Sequence, residues 1–336
     1  MSEALGTLDA PVLVLADLDG TRPTDPALEL VAAARTLTGG DGDVVALTLG
    51  PVEAEASAAL AAAGANRLLV ADLGGERAQA AAGADAVVAA VHEVAPGAVL
   101  VSSDYRGKET AGRAAVLLDS ACVSDVADLR VVDGALHADR LVLSGSWSTT
   151  MSANAHTVHP PILAVRPGSV EVPDASVDDA APLPAVALEA AVSPEAAAVR
   201  LVSRESTAAA AGPDLAGART VVVGGRGVDG DFDLVRSLAE PLGAAVGATR
   251  VACDEEWIER SAQIGQTGVS VAPHLYVGLG VSGAVHHTSG IQGAETIVAV
   301  VDDSEAPILE MADYGVVGDV TEVVPQLVDE LVRLRG

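Results

Sequence analysis

The stretch Thr220-Val-Val-Val-Gly-Gly-Arg-Gly-Val-Asp-Gly230 decides how this chain is read. A short β-branched run ends in a G-x-G-x-x-G turn (Gly225, Gly227, Gly230), and Phe232–Leu242 then reads as a helix. Strand, glycine turn and helix in that order open a nucleotide-binding unit. Downstream, Leu275–Val277 leads into a second match, Gly278, Gly280 and Gly283. Thr296–Val301 and Gly315–Val317 read as further strands and Val323–Leu334 as a helix. Apolar strands alternating with helices predict a C-terminal, doubly wound parallel-sheet domain over residues 219–336.

Upstream the same rhythm occurs once more. Pro11–Ala16, Val44–Leu49, Arg67–Ala71 and Ala98–Ser102 read as buried strands. Pro26–Leu37, Glu53–Ala63, Glu76–Val94 and Lys108–Ser120 read as the helices between them. From Asp125 to Ala187 the strands Leu129–Val132, Leu141–Ser144, Ile162–Val165 and Val186–Leu188 follow without strong helices, so the sheet is mixed. Pro167–Pro184 reads as a surface loop, and residues 206–218 as a linker. The fold class is therefore α/β with two domains, an N-terminal one with a mixed sheet (1–205) and the parallel-sheet one.

Composition narrows the function. The 336 residues are too many for one ordinary core. Only 2% are aromatic, so the cores must be built from Ala, Val and Leu. There are 47 Asp and Glu against 19 Lys and Arg, a net charge of −28, and Lys108 is the single lysine. Such a surface repels phosphate backbones and anionic lipid heads, which argues against nucleic acids and membrane surfaces as partners. Cys122 and Cys253 show no metal-like spacing and read as free thiols. The N-terminal residues carry no leader pattern, and no apolar run reaches about 18 residues. The expectation is a soluble, cytoplasmic protein with no membrane insertion.

Each motif has a plain alternative. In a chain with 34 glycines a lone G-x-G-x-x-G arises easily by chance. His286 and His287 invite a metal, yet adjacent side chains diverge and no further ligand lies at useful spacing. Gly265-Gln-Thr-Gly268 is a polar turn able to hydrogen-bond a heterocycle, and Arg250 suits either a phosphate or an ion pair. No G-x-S-x-G elbow and no Walker lysine occurs. Chemistry would have to come from a cofactor.

Four segments taken together resemble the α subunit of electron-transfer flavoproteins. They are VVVGGRG (Val221–Gly227), GAAVGATR with QIGQTG (Gly243–Arg250, Gln263–Gly268), APHLYVGLGVSGAVHH (Ala272–His287) and TIVAVVDDSEAPILEMADYGVVGD (Thr296–Asp319). In the first domain Gly107-Lys-Glu-Thr-Ala-Gly112 looks like the family's GKE(x)AGR turn.

The resemblance implies an FAD-binding second domain and an electron carrier rather than an enzyme, working through a stabilised flavin semiquinone. Arg226 would contact FAD. Thr249 stands where serine is usual, and Arg250 would lie beside the flavin. Ile264, Gly265, Gln266 and Thr267 would form the turn against the ring, with the Thr267 hydroxyl near N5. Ser282, Gly283, Ala284, Val285, His286 and His287 would line the next loop, His287 near the O2 edge. Asp319 and Val320 would close the adenosine end. Three positions depart from the family: His286 replaces glutamine, Val301 replaces asparagine, and CDEEWIERSAQ before Ile264 is unusual.

The implied partners are a β subunit holding AMP or a second FAD, flavin dehydrogenases as donors, and a quinone oxidoreductase or similar acceptor. Two rivals remain open at this point. A nicotinamide-dependent dehydrogenase needs an acidic ribose partner about 20 residues beyond the glycines. Glu240, or Asp302 and Asp303, stand there. The other rival is a non-catalytic adenine-nucleotide-binding protein.

Overall fold

The computed structural model describes residues 5–74, 79–142, 147–173, 180–203, 215 and 217–335. The chain divides into two compact units, with the division between residues 203 and 215. The expected linker over 206–218 lies almost entirely outside the described residues.

The first unit begins with β1 (Leu5–Gly6), β2 (Val12–Leu15), the short ribbon β3 (Leu18–Asp19) and β4 (Arg22–Pro23), and α1 (Asp25–Leu37). Then come β5 (Val44–Thr48), α2 (Ala54–Ala63), β6 (Arg67–Val70), α3 (Ala80–Val94), β7 (Ala98–Ser102) and α4 (Tyr105–Leu117). Strands β8 (Cys122–Val132), β9 (Ala135–Val142), β10 (Trp147–Asn154), β11 (Ile162–Val165) and β12 (Ala185–Ala187) follow, with the short α5 (Pro194–Ala197). The sheet order is β10-β9-β8-β11-β7-β2-β5-β6-β12, with β1 beside β8. β8, β9 and β10 pair antiparallel and the remaining neighbours along this path are parallel. The sheet is thus mixed, as its sequence implies.

Side-chain caps start α1 and α4. Thr24 Oγ1 accepts from the Ala27 amide at the head of α1, where Pro26 supplies a pre-set φ. Asp104 Oδ1 accepts from the Gly107 amide at the head of α4, 2.7 Å away. That cap starts α4 at Tyr105, three residues before the start read from sequence. Alternate residues of the central parallel strands feed two separate cores. Val12, Val14, Val44 and Ala46 join α1 and α2 on one face, while Leu13, Leu15, Val45 and Leu47 join α3 and α4 on the other. Each buried Val or Leu contributes about 1.5–3 kcal/mol, which lets a core with few aromatics hold.

The second unit has β13 (Thr220–Gly224), α6 (Phe232–Leu242), β14 (Ala245–Ala248), α7 (Arg250–Asp254), β15 (Leu275–Leu279) and α8 (Val285–Thr288). It closes with β16 (Thr296–Val301), α9 (Ile308–Met311), β17 (Tyr314–Val317) and α10 (Val320–Arg335). Its five strands are all parallel, in the order β14-β13-β15-β16-β17. Val222, Val277, Leu279 and Val300 face one core with Phe232 and Val324, whereas Val221, Val223, Tyr276 and Val301 face the other. The sheet is doubly wound.

Several elements differ from the sequence reading. Strand β14, Ala-Val-Gly-Ala, has only one β-branched residue, and its Gly247 leaves room for Ile264 on the same face. β9 and β10 pair as a long antiparallel ribbon of half-polar strands, where the sequence reading has only Leu141–Ser144 as a strand. The expected strand Leu141–Ser144 is represented by the end of β9, with residues 143–146 outside the described set.

Candidate functional site

Because all five strands of the second unit run parallel, their C-terminal ends share one edge. In an open sheet of this order the crevice lies where the chain order reverses, here between β13 and β15. Both glycine motifs emerge at that point. They face each other. The Gly225 amide donates to Leu279 O at 2.8 Å and the Gly227 amide to Gly280 O at 3.0 Å. A Cβ on Gly280, whose φ is +62°, would stand 2.5 Å from Gly227 Cα. These glycines therefore allow one loop's backbone to lie against the other. The amides of Gly225 and Gly227 are spent on that contact, which differs from the phosphate cradle the motifs suggest. Arg226, between them, is exposed and has no ion-pair partner among the described residues.

Next along the edge, the Thr249 amide donates to Gly224 O at 3.0 Å, which ties the end of β14 to that of β13. The Thr249 side chain makes no cap bond to α7. Arg250 is 55% exposed, with Asp254 Oδ2 at 3.6 Å. A pair this exposed leaves the guanidinium available.

The turn Gln263–Val269 docks on the same end of β14. The Ile264 amide donates to Ala248 O at 2.9 Å, and the Val269 amide to Gln263 O at 2.7 Å. Ile264 is buried and anchors the turn in the core. Gly265 has φ +138°, and a Cβ there would collide with His286 O. Gln266 and Thr267 are exposed at the tip. Gln263 itself is 2% exposed, and its Nε2 donates to Thr267 Oγ1 at 2.9 Å. Its Oε1 has no partner among the described residues.

The loop after β15 completes this edge. Ser282, Ala284, Val285 and His286 are exposed, while Gly283 and His287 are buried. The Gln266 amide donates to His286 O at 2.7 Å, and His286 Nδ1 donates to Gln266 Oε1 at 2.7 Å. The two adjacent histidines do diverge. His287 is 5% exposed, with Nδ1 3.0 Å from Ile264 O and Nε2 2.8 Å from the Tyr276 hydroxyl. A carbonyl only accepts, so Nδ1 carries the proton and Tyr276 donates to Nε2. Burial pushes the His287 pKa down to about 4, against a smaller upward effect of the Ile264 bond. Burial raises the Tyr276 pKa. The pair is neutral, and it braces the turn from beneath. Asp319, exposed, accepts from the Thr321 amide at 2.8 Å and from the Thr321 hydroxyl, which hold its carboxyl below the ordinary value. Val320 is buried in the first turn of α10. Val301, where the resemblance expects asparagine, packs in the core.

Residues spread from Arg226 to Val320 thus follow the C-terminal ends of one sheet. Gln263 and Tyr276 were not singled out in the sequence. Each is a polar residue in a buried setting, and burial is the property a single sequence shows least.

The family model described as electron transfer flavoprotein domain matches residues 12–193, and the one described as electron transfer flavoprotein FAD-binding domain matches residues 214–292. The electron transfer flavoprotein subunit alpha of Mycobacterium leprae is 38% identical, over 92% of this chain and 94% of its own length. This chain belongs to the electron transfer flavoprotein α-subunit family. The subunit alpha of Bacillus subtilis is 33% identical over 96% of this chain and 98% of its own. That of Pseudomonas aeruginosa is 33% identical over 94% and 98%.

The second unit carries the family's FAD-binding domain, and its edge suits that cofactor. Arg226 and Arg250 offer exposed cations and Thr249, Thr267 and Ser282 offer hydroxyls. The unpartnered Gln263 Oε1 is an orphaned buried polar atom of the kind that accompanies a ligand site. Among the described residues no helix is long and apolar enough to cross a membrane.

Proposed function

We propose that this chain is the FAD-bearing subunit of a heterodimer, paired with an electron transfer flavoprotein β subunit that holds AMP or a second FAD. It carries electrons and is not itself an enzyme. It receives them from flavin dehydrogenases and delivers them to a quinone oxidoreductase or similar acceptor, in the cytoplasm. The domain over residues 219–336 holds the cofactor, and the domain over 1–205 forms the β-subunit interface.

FAD, when bound, supplies chemistry one electron at a time. The chain's residues hold and bias it. Arg226, exposed and free of an ion-pair partner among the described residues, would contact the FAD. Arg250 sets a fixed positive charge beside the ring, which favours the more negative redox states. The turn Ile264–Thr267 presents the Thr267 hydroxyl to a ring nitrogen. Ser282–His286 line the facing loop. His287, neutral and bonded through both nitrogens, acts on the flavin through the turn it braces. Asp319 and Val320 close the adenosine end from the head of α10.

The observation that carries this reading is the gathering of the Gln263–Gly268 turn, the Ser282–His287 loop and Arg226 on one edge of the sheet. The test is an absorbance spectrum of the chain co-purified with its β subunit, followed by stepwise reduction. A bound flavin that passes through a persistent half-reduced spectrum is expected. A colourless complex that takes up no added FAD would refute the reading.

A further inference from the structure

We infer that Gln263 is a positioning residue for the flavin: its side-chain amide donates to the Thr267 hydroxyl and so turns the Thr267 proton outward, toward the cofactor. This rests on the reading of the edge as the FAD site.

The pair is built into the turn. Gln263 Nε2 lies 2.9 Å from Thr267 Oγ1, with Gln263 buried and Thr267 at the exposed tip. Gln263 cannot withdraw. Its carbonyl accepts from the Val269 amide, the next residue's amide is fixed on Ala248 O, and a Cβ on Gly268 would collide with the Gln263 carbonyl. A hydroxyl carries one proton and two acceptor sites. Accepting from Nε2 uses an acceptor site and leaves the proton to be placed elsewhere. No acceptor for it exists among the described residues, so the proton faces the open side of the turn.

The amide orientation follows from what each choice leaves unpaired. As placed, Oε1 is the orphan. Reversed, Thr267 would donate inward and Nε2 would be buried with both N–H groups unpartnered. Orphaned buried N–H groups are the rarer outcome, because a carbonyl short of one partner costs less. The turn therefore selects an outward donor. A fixed donor against a ring nitrogen favours negative charge there and opposes protonation of that nitrogen. A hydroxyl free to rotate would equally accept from a protonated nitrogen.

The test is a double-mutant cycle in the α–β complex with Q263M, T267V and both together, read by potentiometry and by the colour of the half-reduced flavin. Methionine keeps the volume and removes the amide. Q263M should lower the formation constant of the half-reduced flavin about three- to tenfold, the worth of one oriented hydrogen bond. It should also shift its spectrum from the red, anionic form toward the blue, protonated one. In the T267V background Q263M should have no further effect, because nothing remains for the amide to orient.

Equal effects of Q263M in both backgrounds would overturn the inference, since they would mark a structural role. So would an unchanged constant and spectrum. Loss of flavin in Q263M while T267V retains it would also overturn it, because the amide would then hold the cofactor or the turn itself. If the wild-type complex takes up no FAD, the FAD reading of the edge fails and the inference falls with it.

Discussion

Tyr276→Phe is the sharpest test of how the Gln263–Val269 turn is supported. Tyr276 is fully buried, and its hydroxyl donates to His287 Nε2 at 2.8 Å. The substitution keeps the ring and removes only that donor. His287 Nε2 is then left buried with no partner, while Nδ1 still donates to Ile264 O. A buried acceptor stripped of its donor costs about 1–3 kcal/mol. Urea unfolding at pH 7 should show the unfolding free energy falling by that amount, through a lower midpoint with the slope unchanged. The control is His287→Leu, which leaves the Tyr276 hydroxyl as the orphan instead. In that background Tyr276→Phe removes an unsatisfied donor, so it should be neutral or stabilising, and the two changes should couple by about 1–3 kcal/mol. A cost below about 0.5 kcal/mol at pH 7, or the same cost in both backgrounds, would refute the assigned hydrogen-bond chain.

Other expectations follow from the same geometry. The lowered His287 pKa means that the folded protein binds this proton less readily than the unfolded chain does. Its contribution is present above about pH 6.5 and should be lost as pH falls toward 4, by up to about 3 kcal/mol, in acid titrations of unfolding free energy. Glu29 has the opposite sign, because burial raises its pKa to about 7 although it accepts from the Gly168 amide at 2.7 Å. Its favourable contribution is complete below about pH 4.5 and lost as pH rises through 7, so Glu29→Gln should stabilise the protein at pH 8 by on the order of 1 kcal/mol and leave pH 4 unchanged. Gly280→Ala would press a methyl group onto Gly227 Cα with no flexible atom to yield. It should cost about 2–3 kcal/mol in unfolding assays and abolish FAD retention. His286→Gln, on an exposed ring, should retain FAD and change stability by less than about 0.5 kcal/mol.

Much of the fold and of the candidate site is legible in the chain because its signals are local. Thr220–Val223 running into Gly225 and Gly227 marks the first strand and its turn, and the second glycine motif marks another. The interruption of helices after Asp125 marks the mixed sheet. The segments that identify the family are short runs in a fixed order, so no tertiary knowledge is needed to see them. β14 escaped because Ala-Val-Gly-Ala has almost no strand propensity, and its identity comes from pairing with β13 and from room left for Ile264. β10 and most of β9 are not legible because half-polar strands carry no apolar run until they pair.

What the amino-acid sequence by itself determined is the class, two α/β domains, and membership of a flavin-binding family. Short-range periodicity and glycine spacing are properties of neighbouring residues. Only the tertiary structure decided how the glycines and polar residues are spent. The Gly225 and Gly227 amides bond the β15 loop, His287 turns inward to Tyr276 while His286 faces out, and Gln263 sits buried behind Thr267. Those assignments depend on which backbone lies across from which. In this domain that is fixed by packing between segments tens of residues apart, where one buried hydrogen bond or one missing Cβ settles the direction a side chain takes.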